Sequence, residues 1–163
     1  MLIEGIFAAV STPFYPDEQV YFRKLEANIV RYSRSLLSGM VVLGSTGEAP
    51  ALNDLETNDV LRVAAESAAP EKVLIAGVGR ESAKATLELT EAAAKFKYDA
   101  VLVRTPTYYA SQMIPAANTK QTAILANMLS VASVTLWLST RPESIVSAVS
   151  CGVPVAIMAS RVD

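Results

Sequence analysis

With 163 residues, 52% of them hydrophobic, the sequence can bury one sizeable core. Its formal net charge is -2 and neither sign forms a long run, so nucleic acid and membrane surfaces gain no electrostatic support as partners. It contains no histidine, which excludes Ser-His-Asp and Cys-His catalysis, His-ligated zinc and the facial iron triad, and leaves Lys, Tyr, Ser, Thr, Asp and Glu to carry any chemistry.

Taken in chain order, the N-terminus Met1-Leu2-Ile3-Glu4-Gly5 has no basic leader, so no signal or transit peptide is expected. Residues 6–11 form a short apolar run that predicts a strand, and Tyr15-Pro16-Asp17 is a turn signal at its exit. Residues 20–37 show helical spacing, and residues 40–43 are again an apolar strand. Asn53 followed by Glu56 is a capping-box pattern opening a helix over 54–69, in which Leu55, Val60, Val63 and Ala64 recur at three- and four-residue spacing. A strand over 73–78, a helix over 81–97 and a strand over 100–103 follow. The strand-to-strand repeat of about 30 residues is one βα unit. Continuous apolar strands are buried on both faces, so the expected class is α/β, a parallel sheet covered by helices.

Beyond Met113 the character changes. Residues 114–163 carry only Lys120, Arg141 and Arg161 as basic groups and Glu143 and Asp163 as acidic ones. A helix near 116–129 and strands near 131–138 and 153–158 are expected there, with thin polar faces. The apolar stretch 145–159 is shorter than the roughly 20 residues of a membrane span and includes Gly152 and Pro154. Cys151 is the single cysteine, so no internal disulfide forms; it reads as a small buried hydrophobe in a reducing, cytoplasmic protein. The expected division is 1–113 and 114–163.

Two hydroxyl clusters fall just after strands, where backbone amides and hydroxyls converge in parallel α/β units. The first is Gly44-Ser45-Thr46-Gly47-Glu48. Its glycines allow close backbone approach, and Ser45 and Thr46 offer groups to a carboxylate; the plainer alternative is that they satisfy loop backbone. The P-loop and nucleophile-elbow patterns are both absent. Glu48 reads as a solvated or capping carboxylate. The second cluster is Thr105-Pro106-Thr107-Tyr108-Tyr109, where a phenol can relay a proton or bind an oxyanion, or simply pack.

These two elements, with Gly5 to Phe14 (GIFAAVSTPF), resemble the N-terminal half of the dihydrodipicolinate synthase and N-acetylneuraminate lyase family over roughly residues 4–113. The resemblance implies a partial (β/α)8 TIM barrel, about four βα units plus a divergent tail; a whole barrel needs about 250 residues. It implies class I lyase chemistry, in which a lysine forms a Schiff base with pyruvate or another 2-oxo acid, without a metal or organic cofactor. Gly44, Ser45 and Thr46 are implied to hold the substrate carboxylate, with Tyr108 beside them. Thr46 and Tyr109 are the implied catalytic hydroxyls of a proton relay. Tyr109 resembles a residue that reaches into a neighbouring subunit, which implies a homo-oligomer. The additional Thr107 resembles the 4-hydroxy-2-oxoglutarate aldolase form, so cleavage of a 4-hydroxy-2-oxo acid is the alternative activity.

The tail departs from the family pattern. Where the family has Leu-Tyr-Asn-x-Pro, this chain has Leu136-Trp137-Leu138-Ser139, and no Gly-x-Lys segment follows. Lys24, Lys72, Lys84, Lys95 and Lys97 fall on helices or at a strand start, away from the reactive end, where activation of an amine is not expected. The expectation is a truncated lyase, catalytically deficient for want of a Schiff-base lysine, with residues 114–163 arising from a shifted reading frame. A half barrel of that kind is expected to self-associate or be marginally stable. The alternative of another class is a non-catalytic fragment that binds carboxylates or assembles with an intact relative.

Overall fold

The computed structural model describes residues 4–104, together with the backbone of two strands at 147–150 and 153–159. Strands β1 (Phe7–Ala9), β2 (Gly39–Val42), β3 (Val73–Gly77) and β4 (Ala100–Arg104) lie side by side, each parallel to the next. Helices α1 (Phe22–Ser33), α2 (Asp54–Ser67) and α3 (Ala83–Lys95) form the crossovers. This is the parallel α/β arrangement that the continuous apolar strands require, and it is part of a barrel rather than a closed one.

One core lies between the sheet and the helices. Met40, Val42, Leu74, Ala76 and Val78 meet Leu25 and Ile29 of α1, Val60, Leu61 and Ala64 of α2, and Leu89 and Ala93 of α3. Strand alternation turns Val41, Ile75 and Leu102 to the opposite face. The expected elements form with trimmed ends: α1 starts at Phe22 rather than at Val20, which instead bridges Phe14 across a hairpin-like turn. In that turn the Tyr15 amide donates to Gln19 O (2.8 Å), and the Tyr15 and Tyr21 rings stack with centroids 4.0 Å apart. The capping box forms in full: Asn53 Oδ1 accepts from the Glu56 amide at 2.9 Å, and Glu56 Oε2 accepts from the Asn53 amide at 2.9 Å.

The strand expected near 153–158 exists as β6 (Val153–Ala159), but it does not continue the parallel series. It pairs antiparallel with β4 and with β5 (Ser147–Ser150), giving the order β1-β2-β3-β4-β6-β5. Connection length accounts for the β5-β6 pair: the two residues between them suffice for a hairpin, whereas a parallel pair needs a crossover of a dozen or more. The strand expected over 131–138 and the helix over 116–129 lie outside the described residues, as does Cys151.

Candidate active site

Because β1 to β4 run parallel, their carboxyl ends share one edge, and the loops leaving them form a common rim. At the exit of β2 the backbone turns sharply. Leu43 is buried yet left-handed (φ 59°), and Glu48 is left-handed as well (φ 52°). Non-glycine residues pay about 1–2 kcal/mol for that conformation, so two within six positions mark a loop held by its surroundings. Between them Ser45–Gly47 winds into one turn of 3-10 helix, and Ala49–Ala51 follows Glu48 as another.

The surroundings that hold this loop come from two other strand exits, those of β1 and β3. From β1, the buried Thr12 hydroxyl donates to Gly47 O at 2.6 Å. From β3, Gly77 makes room: a Cβ there would stand 2.0 Å from Leu43 O, so only glycine lets the β2 turn fold over it. Beyond Gly77, the Arg80 guanidinium donates to the Thr57 hydroxyl (2.9 Å) and to Ala49 O (3.4 Å), tying the loop to α2. The Arg80 amide is bound in turn by the Thr86 hydroxyl of α3 at 3.1 Å.

Ser45 and Thr46 are exposed on this rim, and among the described residues neither hydroxyl has a hydrogen-bond partner. They are therefore available to a ligand, along with the leading amides of the short helix. Gly44 is half-buried with an ordinary φ of -72°, and a Cβ there would meet only Val41 Cγ1 at 3.5 Å. Gly47 faces inward rather than toward a ligand, since a Cβ there would sit 3.1 Å from Val10 O. Tyr108 and Tyr109 lie outside the described residues, so the structure brings Gly44, Ser45 and Thr46 together and says nothing of the two phenols. A shallow cleft lined by Tyr15, Gln19, Val20, Phe22, Arg23 and Glu56 includes none of the rim hydroxyls.

Sequence reasoning passed over Thr12, Arg80 and Arg104. Thr12 carried a readable signal, the second of two hydroxyl residues, Ser11-Thr12, that follow an apolar strand and stand directly before Pro13. Arg104 ends an apolar strand in the same way, and its Nη1 lies 3.2 Å from Glu81 Oε1. The described lysines stand away from the rim, as expected, although Lys97 lies in the turn after α3 rather than on the helix. Lys24, Lys84 and Lys95 are exposed on helices, Lys97 is exposed in the turn before β4, and Lys72 Nζ donates to Ser35 O (2.9 Å) and Leu37 O (2.8 Å) at the opposite edge of the sheet.

Residues 2–128 match the model of the dihydrodipicolinate synthetase family. The chain belongs to that family. Over 107 residues it is 38% identical to the 4-hydroxy-tetrahydrodipicolinate synthase of Sorangium cellulosum (strain So ce56), a match spanning 65% of this chain and 36% of the relative. The structure of the 4-hydroxy-tetrahydrodipicolinate synthase from the methanotroph Methylacidiphilum fumariolicum SolV superposes with a TM-score of 0.71 at 27% identity, over 78% of this chain and 42% of that one. N-acetylneuraminate lyase from Mycoplasma synoviae gives a TM-score of 0.67 at 28% identity, over 76% and 43%. This chain thus spans a little over a third of the curated relative's length, and it carries the family's lyase fold as a partial barrel. Among the described residues, no helix is long and apolar enough to cross a membrane.

Proposed function

We propose that this chain provides the carboxylate-binding rim of a class I lyase site for pyruvate or a related 2-oxo acid, and that it forms no Schiff base itself. The observation that carries this reading is the pair of hydroxyls, Ser45 and Thr46, which have no partner among the described residues and are presented by a loop that Thr12, Gly77 and Arg80 hold in a left-handed turn. A carboxylate there would accept from two hydroxyls and from the leading amides of residues 45 and 46, charge-assisted bonds that are stronger than neutral ones. Thr46 and Tyr109 serve as the proton relay, with Tyr108 lining the same site. Tyr109 also contacts a second subunit of a cytoplasmic homo-oligomer.

Catalysis of the family's kind needs an amine that is desolvated or otherwise activated near the reacting carbonyl. All five described lysines stand on helix surfaces, in a solvent-facing turn or at a strand start, and Lys72 is committed to two carbonyls. Support for the division at residue 113 comes from the antiparallel β5-β6 hairpin, which occupies the β4 edge where a fifth parallel strand would continue a barrel.

The decisive experiment has two readouts. Pyruvate titrated against the labelled protein is expected to perturb the Ser45 and Thr46 amides, and Ser45→Ala with Thr46→Val is expected to abolish this. Incubation with pyruvate and borohydride is expected to add no mass. Lack of any perturbation overturns the binding role, and an adduct mapped to one lysine overturns the absence of Schiff-base formation.

A further inference from the structure

Arg104 ends β4 on the face of the sheet turned away from the helices. Val101 and Val103 pack against the helix-side core, so alternation along the strand directs Ala100, Leu102 and Arg104 to the other side. On the neighbouring strand the same alternation places Gly77 there, and Gly79 two residues on. A Cβ at Gly79 would stand 2.5 Å from Arg104 Cγ and 2.8 Å from Arg104 N, and one at Gly77 would stand 2.0 Å from Leu43 O and 3.1 Å from Gly44 N. Two absent side chains thus make a low floor. The Leu43-Gly44 turn, which leads directly into Ser45 and Thr46, rests on one side of it, and the stem of Arg104 rests on the other.

Adjacent strands are about 4.8 Å apart, so the exits of β2 and β4 stand about 10 Å apart across that floor. A hydroxyl pair at one side and a guanidinium at the other match a ligand with a carboxylate at each end. Among the described residues, Arg104 is the one cation that strand alternation directs onto this face at the rim; Arg80, one step past Gly79, is committed to Thr57 and Ala49 O on the helix side. Arg104 is paired instead with a more exposed carboxylate, Glu81, whose side chain is 47% exposed against 28% for the arginine. An ion pair so placed adds little to stability. A ligand carboxylate can displace it at small cost, and a guanidinium suits a bidentate carboxylate contact.

We propose that Arg104 is a specificity-determining residue that takes the distal carboxylate of a short 2-oxo dicarboxylate, with Glu81 as the counter-ion the ligand displaces. This rests on the preceding reading of Ser45 and Thr46 as the proximal carboxylate site.

The test compares three probes on the intact chain by calorimetry or amide shift titration: pyruvate, 2-oxopentanoate and 2-oxoglutarate. The last two have equal chain length and differ in the distal carboxylate. We expect 2-oxoglutarate to bind about tenfold more tightly than 2-oxopentanoate, the scale of one charge-assisted contact at a partly exposed site. Arg104→Gln is expected to erase that ratio while leaving pyruvate affinity unchanged, and Glu81→Gln to raise 2-oxoglutarate affinity a few fold. Binding of all three probes without preference for 2-oxoglutarate overturns the role of Arg104 and leaves the loop reading intact. Failure of all three to bind overturns the loop reading and this inference with it. Should Arg104→Gln lose its helical circular dichroism, Glu81→Gln decides: an unchanged ratio in that variant overturns the assignment.

Discussion

The two edges of the parallel sheet are built on opposite terms. At the edge where strands begin, polar groups are paired: Lys72 Nζ donates to Ser35 O and Leu37 O in the turn after α1, the Leu74 amide donates to Asp99 Oδ2 at 2.8 Å, and the buried Tyr98 hydroxyl donates to Leu61 O at 3.0 Å. At the edge where strands end, Glu18, Leu43 and Glu48 are left-handed, against Lys97 alone among the described non-glycine residues at the other edge; Gly77 and Gly79 stand where a Cβ would meet backbone, and among the described residues the Ser45 and Thr46 hydroxyls have no hydrogen-bond partner. The first edge is arranged for stability. The second retains strain and unused hydrogen-bonding capacity, as expected of a surface that receives a ligand.

That contrast can be broken by substitution. Gly77→Ala is expected to be the most damaging change, because its Cβ would meet backbone, Leu43 O, that no rotamer change can move. A loss of about 3 kcal/mol in chemical denaturation is expected. A loss below about 1 kcal/mol would mean that the Leu43 turn is not held by this contact.

Tyr98→Phe at the opposite edge is expected to cost about 1–1.5 kcal/mol through the lost bond to Leu61 O. It also sharpens the comparison through pH. Burial pushes the Tyr98 phenol well above its ordinary value. The unfolded phenol ionises near pH 10 while the folded one stays neutral, so this contribution is whole below about pH 10 and is lost as pH rises past it. Denaturation midpoints of the native protein are expected to fall from about pH 10 upward, and this component of the fall to vanish in the Phe variant.

Glu48→Gly acts in the other sense. Relief of the left-handed φ at an exposed position is expected to raise stability by about 1 kcal/mol, measured as a higher denaturation midpoint. A loss of stability would show that the Glu48 conformation is not strained.

Ser45→Ala with Thr46→Val is expected to change stability least, within about 0.5 kcal/mol, since both side chains are exposed and have no partner among the described residues. A larger loss would move these hydroxyls from ligand binding to loop support.

Elements whose signals are local were legible in advance. The capping box of α2 needs only Asn53 and Glu56, three residues apart, and both of its hydrogen bonds form. The rim contacts were not legible, because their partners are distant in sequence: Thr12 meets Gly47 across 35 positions and Arg80 meets Thr57 across 23. The β5-β6 hairpin was half legible. Its apolar composition marked a strand over 153–158, but composition carries no orientation, and the antiparallel pairing with β4 depends on which edge the strand meets.

The sequence by itself determined the class of fold and the edge at which the strand-end loops gather. Apolar runs spaced at one βα unit leave a parallel sheet as the arrangement that buries both faces of every strand, and parallel strands bring Gly44, Ser45 and Thr46 to a common end. Only the tertiary structure decided which glycines are indispensable and which cation stands at that edge. Those properties follow from the register between strands, which brings Gly77 under Leu43 and Gly79 beside Arg104, and register is a relation between segments that neither segment contains alone.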